Sequence, residues 1–349
     1  MKTIMYKLIF ISFITLFSCT KSIVPKLLWS KSINNMVHSQ GIKGANIYCA
    51  SNDGHIYCYN KINGSLIWVT KVDSVRSIEI TIEDSIIIVS SLKPMVFILN
   101  AMNGKITDSF KINNTHANAI TTYFGSVILG CNDSNIYSYS LSKKSIVWKT
   151  KVSGYYSNTI MILDKLIIAG AGNKFYIIDP TDGIITKELA VVTFEPLFDW
   201  ALRDSIIFVN NSDRITAFRL SQLDKSNRSK AYLIPEDYVM SEFLYPYIAI
   251  CDSGLAISHY NKGIYGISFS KGHGVEWHYD KKEPIRKCSF FKDSLFFCSD
   301  DKTFGCLNPK DGKEIFTVKT PCEIVNFNYQ DGKLYGTCVD HKLYAFKIR

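Results

Sequence analysis

Residues 44–70 have the sequence GANIYCASNDGHIYCYNKINGSLIWVT, in which short apolar runs alternate with polar turns. The run Ile56–Tyr59 is β-branched and aromatic and too short for a helix, so it predicts a strand. On either side of it, Asn52-Asp53-Gly54 and Asn63-Gly64 supply residues that tolerate the positive φ of tight hairpin turns. The stretch therefore predicts antiparallel strands joined by hairpins.

The same pattern recurs eight times between residues 42 and 349, at a spacing of about 40 residues. The first turn of each copy falls at Gly44, Asp84, Gly125, Asp164, Asp204, Asp252, Asp293 and Asp331. The polar residue that follows the third strand falls 15 or 16 residues later, at Asn60, Asn100, Ser140, Asp179, Arg219, Ser268, Asn308 and Lys347. A further strand precedes each first turn, and four strands per repeat of this length are typical of a β-propeller blade. We therefore predict an all-β fold, an eight-bladed β-propeller of four-stranded antiparallel blades.

The last copy lacks a fourth strand, because the sequence stops at Arg349, just after the third. Residues 27–33 begin with Leu-Leu-Trp-Ser-Lys and resemble residues 66–70, Leu-Ile-Trp-Val-Thr. Trp29 precedes Trp68 by 39 residues, which is one period. We therefore expect the N-terminal strand, residues 27–33, to complete the last blade and to remove the free edges of an open array. The alternative is an unpaired arm.

The N-terminal segment has the composition of an export signal. Lys2 and Lys7 precede residues 8–17, which are apolar or small, a run that suits a signal peptide and is too short to span a bilayer. Residues 16–19, Leu-Phe-Ser-Cys, resemble the bacterial lipobox, in which the cysteine is acylated and becomes the mature N-terminus. We therefore expect lipidation at Cys19; the alternative is an ordinary secretory signal with an incidental cysteine.

These patterns predict three segments in the chain. Residues 1–18 form a lipoprotein signal peptide, residues 19–26 a lipidated tether, and residues 27–349 the propeller. The net charge of +9 comes from basic residues that are scattered, which predicts a solvated surface and no nucleic-acid partner. A closed ring of repeats is one unit, so we expect a monomer.

Besides Cys19, the chain has nine cysteines, most of them inside apolar strand runs where cysteine behaves as a small hydrophobe. We expect buried thiols, because these cysteines do not recur at one blade position. Cys49 and Cys58 flank one hairpin, and Cys298 and Cys306 flank another. A disulfide in either hairpin is the alternative for an exported chain.

Residues 58–68 resemble the tryptophan-docking motif of quinoprotein-type propellers, Ala-x-Asp-x-x-Thr-Gly-x-x-x-Trp. Cys58 stands for the alanine, Asn60 for the aspartate, Asn63-Gly64 for Thr-Gly, and Trp68 matches the tryptophan. The resemblance covers essentially the whole mature chain and implies that the tryptophan of one blade packs against the next blade. It assigns this structural docking role to Trp29, Trp68, Trp148 and Trp277.

Enzymes of the quinoprotein family hold pyrroloquinoline quinone and calcium in the central funnel, often beneath a vicinal pair of cysteines. This chain has no adjacent cysteines, and no set of Glu, Asn and Asp that we can assign to calcium. It also lacks His-Glu-x-x-His, Walker and Gly-x-Ser-x-Gly motifs, and Asp340-His341 aligns with a hairpin turn. We therefore predict no enzyme activity and no catalytic, cofactor-binding or metal-binding residues.

In length, blade number and anchor, the chain is similar to lipoproteins of the outer-membrane β-barrel assembly machinery, which are quinoprotein-like propellers without a cofactor. The resemblance implies a non-catalytic protein-interaction scaffold in the bacterial envelope. We expect it to be held by lipid at the periplasmic face of the outer membrane and to have protein partners. The loops Gln222–Lys230 and Pro235–Leu244 depart from the repeat and are expected to bind partners, or else to be neutral insertions.

The alternative function is a quinone-dependent dehydrogenase-like enzyme, or a small-ligand sensor, that uses the central funnel. Candidate lining residues lie near the starts of blades: His116, Tyr155, Tyr156 and Arg286. Surface or inter-blade packing is the competing role for each of them.

Overall fold

A computed structural model of the chain describes residues 25–72, 77–91, 93–113, 116–153, 156–163, 165–172, 174–190, 199–203, 206–211, 214–219, 230–233, 248–251, 254–259, 262–268, 275–292 and 294–348. These residues form 32 β-strands arranged in eight four-stranded sheets. No helix in these segments is long and apolar enough to cross a bilayer. The eight-bladed propeller predicted from the repeat is confirmed.

The sheets are numbered here as blades 1 to 8 in chain order. Blade 1 contains β2 (Val37–Lys43), β3 (Asn46–Ser51), β4 (His55–Asn60) and β5 (Leu66–Lys71). Blade 2 contains β6 (Ser77–Glu83), β7 (Ile86–Ser91), β8 (Met95–Asn100) and β9 (Ile106–Lys111). Blade 3 contains β10 (Ala117–Tyr123), β11 (Ser126–Cys131), β12 (Asn135–Ser140) and β13 (Ser145–Lys151). Blade 4 contains β14 (Tyr156–Leu163), β15 (Leu166–Ala171), β16 (Lys174–Ile178) and β17 (Ile185–Ala190).

The second half of the ring is built in the same way. Blade 5 contains β18 (Asp199–Arg203), β19 (Ile206–Asn211), β20 (Arg214–Arg219) and β21 (Lys230–Leu233). Blade 6 contains β22 (Ile248–Ile250), β23 (Gly254–His259), β24 (Gly263–Ser268) and β25 (Val275–Tyr279). Blade 7 contains β26 (Ile285–Phe291), β27 (Ser294–Ser299), β28 (Thr303–Leu307) and β29 (Glu314–Lys319). Blade 8 contains β30 (Ile324–Gln330), β31 (Lys333–Cys338), β32 (Lys342–Lys347) and β1 (Lys26–Ser32).

The chain closes its ring in blade 8, where the N-terminal strand β1 pairs antiparallel with β32. Trp29 lies opposite Ala345, and the amide of Ile33 donates to the carbonyl of His341 at 2.8 Å. The first strands of consecutive blades also contact one another all the way round, from β2 through β6 to β30 and back to β2. The prediction that the N-terminal strand completes the last blade is confirmed.

The hydrophobic core is divided into clusters that each join two neighbouring blades. In β7, Ile87 and Val89 belong to the cluster shared with blade 1, whereas Ile88 belongs to the cluster shared with blade 3. Successive side chains of a strand point to opposite faces, and here both faces are buried. This explains why the middle strands are continuous apolar runs rather than alternating ones.

The propeller has two unlike faces. The turn face carries the connections from first to second strand and from third to fourth strand, such as 84–85 and 101–105. The loop face carries the connections from second to third strand and those between blades. Lys26 pairs with Lys347 at the end of β32, so β1 enters the ring at the rim on the turn face.

The expectation of nine buried thiols is wrong for Cys322 and Cys338, which form a disulfide. Cys322 lies two residues before Ile324, which pairs with Cys338 across β30 and β31, and the two cysteine Cα atoms are 6.0 Å apart. The seven other described cysteines are thiols, and all except Cys251 are buried. Strand register across a blade, which the cysteine spacing does not reveal, decides which pair can bond.

Candidate functional site

The predicted docking tryptophan Trp68 stands in the outer strand of blade 1 and reaches blade 2. Its indole Nε1 donates to the carbonyl of Ala101 at 3.2 Å. The ring covers Gly104, where a Cβ atom would lie 2.5 Å from the Trp68 Cε3 atom. Glycine is thus needed at this turn both for its φ of +71° and for the space that the indole fills.

The other three predicted tryptophans make the same contact with the following blade. Their Nε1 atoms donate to Ile62 (from Trp29, 3.1 Å), Pro180 (from Trp148, 2.9 Å) and Pro309 (from Trp277, 2.8 Å). The glycines beneath their rings are Gly64, Gly183 and Gly312. Trp68, Trp148 and Trp277 are each 9% exposed, whereas Trp29 is half-buried.

The turn that receives each indole is held by its own polar residues. In blade 2, the Asn100 side-chain oxygen accepts hydrogen bonds from the amides of Met102 (2.9 Å) and Asn103 (3.1 Å). The Gly104 amide donates to the Asn100 carbonyl at 2.9 Å. This is the structural role of the polar residue and of the Asn-Gly pair in the repeat.

The junction between blades 2 and 3 departs from this pattern. Asp108 occupies the strand position of the tryptophan and accepts a hydrogen bond from the Tyr139 hydroxyl at 2.5 Å. Phe110 stacks on the Tyr139 ring with centroids 3.7 Å apart. Without an indole to receive, the turn of blade 3 has Lys144, at a φ of +52°, where the turns of blades 1, 2, 4 and 7 have glycine.

The candidate funnel residues lie in separate clusters on the loop face. His116 Nε2 is 2.8 Å from Asn132 Nδ2 in blade 3. Arg286, in blade 7, pairs with Asp300 and with Glu323, the latter at 3.3 Å. Tyr155 and Cys19 lie outside the described residues, as do nearly all of the two irregular loops, and only the backbone of Tyr156 is described. Among the described residues, the contacts of His116 and those of Arg286 have no residue in common.

Two other groups of residues that could in principle act in catalysis or metal binding have structural roles. Asp340-His341 forms a hairpin turn, in which Asp340 accepts hydrogen bonds from the Lys342 amide and, at 2.6 Å, from the Tyr344 hydroxyl. Cys322, Cys338 and Asp340 place potential ligand atoms within 4.8 Å of one another, but the two sulfurs are bonded to each other. We assign no metal to this group.

The buried thiols are unreactive at neutral pH. Burial raises the pKa of Cys58 to about 12, and burial also raises the pKa of Cys298 to about 12. A thiol with such a pKa carries almost no thiolate at neutral pH, and the thiolate is the nucleophile and metal ligand. These cysteines fill space in the inter-blade clusters.

A cavity that the sequence did not reveal opens on the turn face across blades 2, 3 and 4, with a volume of about 720 Å³. We call it the turn-face cavity. Tyr123 and Ile162 pack on the hydrophobic cluster between blades 3 and 4, so its apolar wall continues into the core. Its lining includes Glu83, Asp84, Tyr123, Phe124, Ile162 and Lys165.

Phe124 is the most unusual residue of this cavity. It begins the two-residue turn between β10 and β11 at a φ of +40°, followed by Gly125 at +76°. Its side chain is 86% exposed and touches the Tyr123 ring edge-on, with centroids 4.7 Å apart. Sequence patterns mark this position only as a turn, because periodicity does not distinguish an exposed aromatic residue from a buried one.

The sequence matches one protein-family model. The family model described as outer membrane protein assembly factor BamB matches residues 26–226. None of the curated proteins matches the sequence significantly.

Solved structures resemble the fold at low sequence identity. BamB from Moraxella catarrhalis has a TM-score of 0.73 and 13% identity, over 93% of this chain and 100% of that one. The computationally designed Ika8 protein has a TM-score of 0.78 and 11% identity, over 94% and 99% of the two chains. Sqt1 from Saccharomyces cerevisiae has a TM-score of 0.75 and 11% identity, over 93% and 99%.

Proposed function

Because the chain belongs to the family of the outer membrane protein assembly factor BamB, we propose that it is a protein-interaction scaffold of the bacterial cell envelope with a role in outer-membrane protein assembly. The observation that carries the proposal is the family match over residues 26–226, which spans β1, blades 1 to 4 and the first three strands of blade 5. The closed ring supports it, since each blade is fixed to both neighbours and its turns are displayed on a rigid frame.

The proposal includes a non-catalytic role. The charged residue among the candidates for the funnel, Arg286, pairs with Asp300 and Glu323. Adding pyrroloquinoline quinone and calcium to the purified protein should leave the absorbance spectrum of the quinone unchanged. A saturable spectral shift, lost in Arg286→Ala, would favour the enzyme or sensor alternative.

We further propose that residues 1–18 are removed as a signal peptide and that lipid on Cys19 holds the propeller at the periplasmic face of the outer membrane. The disulfide Cys322–Cys338 supports an oxidising compartment, in which such bonds form and persist. Several acyl chains on one cysteine would anchor the chain firmly, whereas a single chain is marginal.

Substitution of the proposed lipid-bearing residue tests the anchor. Cys19→Ser should abolish metabolic labelling with fatty acid and release the protein from the membrane fraction, because the hydroxyl does not replace the thiol nucleophile. Ser18→Ala is the matched control, since it keeps a small residue before the cysteine and should preserve labelling. Labelling that persists in Cys19→Ser would return the segment to an ordinary secretory signal.

The scaffold role is tested by purification from native membranes. The tagged protein should co-purify with envelope proteins in a fixed ratio after mild cross-linking, and deletion of its gene should lower the amount of outer-membrane β-barrel proteins. A chain that purifies alone, with unchanged barrel proteins in the deletion strain, would refute the proposed function.

A further inference from the structure

We propose that the turn-face cavity is a docking site for a partner peptide segment that carries an apolar side chain next to a Lys or Arg residue. The inference rests on the proposed scaffold function, and it adds the location of the contact and the chemistry of the partner.

The first argument is the backbone conformation of Phe124. Both residues of the Phe124-Gly125 turn have positive φ, as a type I′ hairpin turn requires, and this turn favours Asn or Asp at its first position. The equivalent turn of blade 8, which also has two positive φ angles, is Asp331-Gly332. A bulky aromatic residue in this region is a conformational outlier, and such outliers cluster at functional sites.

The second argument is that the phenyl ring of Phe124 adds little to the stability of the fold. At 86% exposure, Phe124 buries almost no area to offset its unfavourable backbone conformation. It stands beside Tyr123 in the turn-face cavity, whose apolar wall continues into the core. Burial of such an exposed aromatic ring by a partner lowers the free energy, and such rings are typical anchors of protein interfaces.

The third argument is charge. Glu83 and Asp84 form the blade 2 end of the cavity, in a protein whose net charge is +9. Asp84 is 93% exposed and has Lys43 at 3.6 Å, while Glu83 has no ion-pair partner among the described residues. Lys165 lines the blade 4 end, so a basic side chain of the partner is best accommodated at blade 2.

The stability arm of the test uses Phe124→Asn, which converts the turn to Asn-Gly. Because the substitution relieves the backbone without uncovering core, Tm should rise by about 1–3 °C. Met102→Ser is the matched control, since Met102 is 81% exposed in a turn of blade 2 on the same face but does not line the cavity. A fall in Tm of Phe124→Asn would show that the Phe124 side chain stabilises the folded protein and would overturn the proposal.

The binding arm uses three fluorescein-labelled peptides that differ only in a central triplet: Lys-Phe-Lys, Glu-Phe-Glu and Lys-Ser-Lys. Fluorescence anisotropy with the full mature protein should give the tightest Kd for Lys-Phe-Lys, by about tenfold over each of the others. The protein's net charge alone would favour the Glu-Phe-Glu peptide, so this order is diagnostic. Phe124→Asn and Glu83→Gln should each weaken Lys-Phe-Lys binding about five- to tenfold, and Met102→Ser should leave it unchanged.

Equal affinities for the three peptides, no binding below about 1 mM, or full binding by Phe124→Asn would each overturn the proposal. These outcomes are separable from failure of the scaffold function. If native partners co-purify equally with wild type and Phe124→Asn while the peptides fail, the scaffold role stands and the docking site is wrong. If the peptides bind as expected but no envelope protein co-purifies, the site stands and the assembly role is wrong.

Discussion

At the residue scale, the contact between Trp68 and Gly104 fixes how two blades meet. A methyl group at Gly104 would collide with the indole, whereas the space around Gly125, with a similar φ of +76°, is open within 4 Å. The two glycines therefore form a matched pair that separates the cost of backbone conformation from the cost of lost packing.

We expect Gly125→Ala to lower the free energy of unfolding by about 1–2 kcal/mol, the usual cost of a side chain in the left-handed region. Gly104→Ala should cost about 1–3 kcal/mol more, because the indole must also move. Denaturant titration followed by tryptophan fluorescence measures both values. Equal costs would mean that the indole adjusts freely and that the contact does not fix the blades.

Sequence reasoning identifies this contact where the motif is complete, and it fails where the motif is replaced. Trp68 and its partner turn are evident from their spacing, since an Asn-Gly pair and a tryptophan recur one period apart. The contact that replaces the tryptophan between blades 2 and 3 is not evident from the sequence. Asp108, Phe110 and Tyr139 come together only through strand register. Phe124 is likewise invisible as a site, since its significance depends on its φ and exposure.

At the element scale, β1 is the strand that couples the two ends of the chain. It covers the edge of β32, and Trp29 reaches the turn of blade 1 at Ile62. The strand was predictable because its Leu-Leu-Trp pattern matches β5 at one period. The disulfide in the same blade was not, since it depends on the register between β30 and β31.

Removing β1 should weaken the closure of the ring. A chain that begins at residue 33 should have a Tm about 5–10 °C below that of a chain that begins at residue 25, because one strand pairing and one indole contact are lost. The shorter chain should also form dimers or aggregates through the exposed edge of β32, detectable by light scattering. Identical melting curves would contradict the role of β1 in closure.

At the scale of the whole molecule, the inter-blade clusters link every blade to both of its neighbours. Among the residues that the structure describes, no blade has a core of its own, so a blade cannot melt without exposing apolar surface on two others. The repeat spacing was sufficient to predict this architecture, whereas the binding surface depends on side chains that differ from blade to blade.

This arrangement predicts cooperative unfolding. Trp68→Ala in blade 1 and Trp277→Ala in blade 6 should each cost about 3–5 kcal/mol and shift the whole melting curve, without a separate early transition. Near-ultraviolet and far-ultraviolet circular dichroism should give the same midpoint for each variant. Two resolved transitions in either variant would show that part of the ring unfolds independently.

The entry of β1 at the rim of the turn face limits how far the propeller can lie from its proposed lipid anchor. The seven Cα–Cα steps from Cys19 to Lys26 span at most about 25 Å when fully extended. If Cys19 is acylated as proposed, this short segment would keep the rim of blade 8 close to the lipid head groups and confine the propeller to a thin layer above one leaflet. Partners held in the same leaflet would then meet the turn face at a high effective concentration, so that even a weak contact at the proposed Phe124 site would suffice for a persistent association.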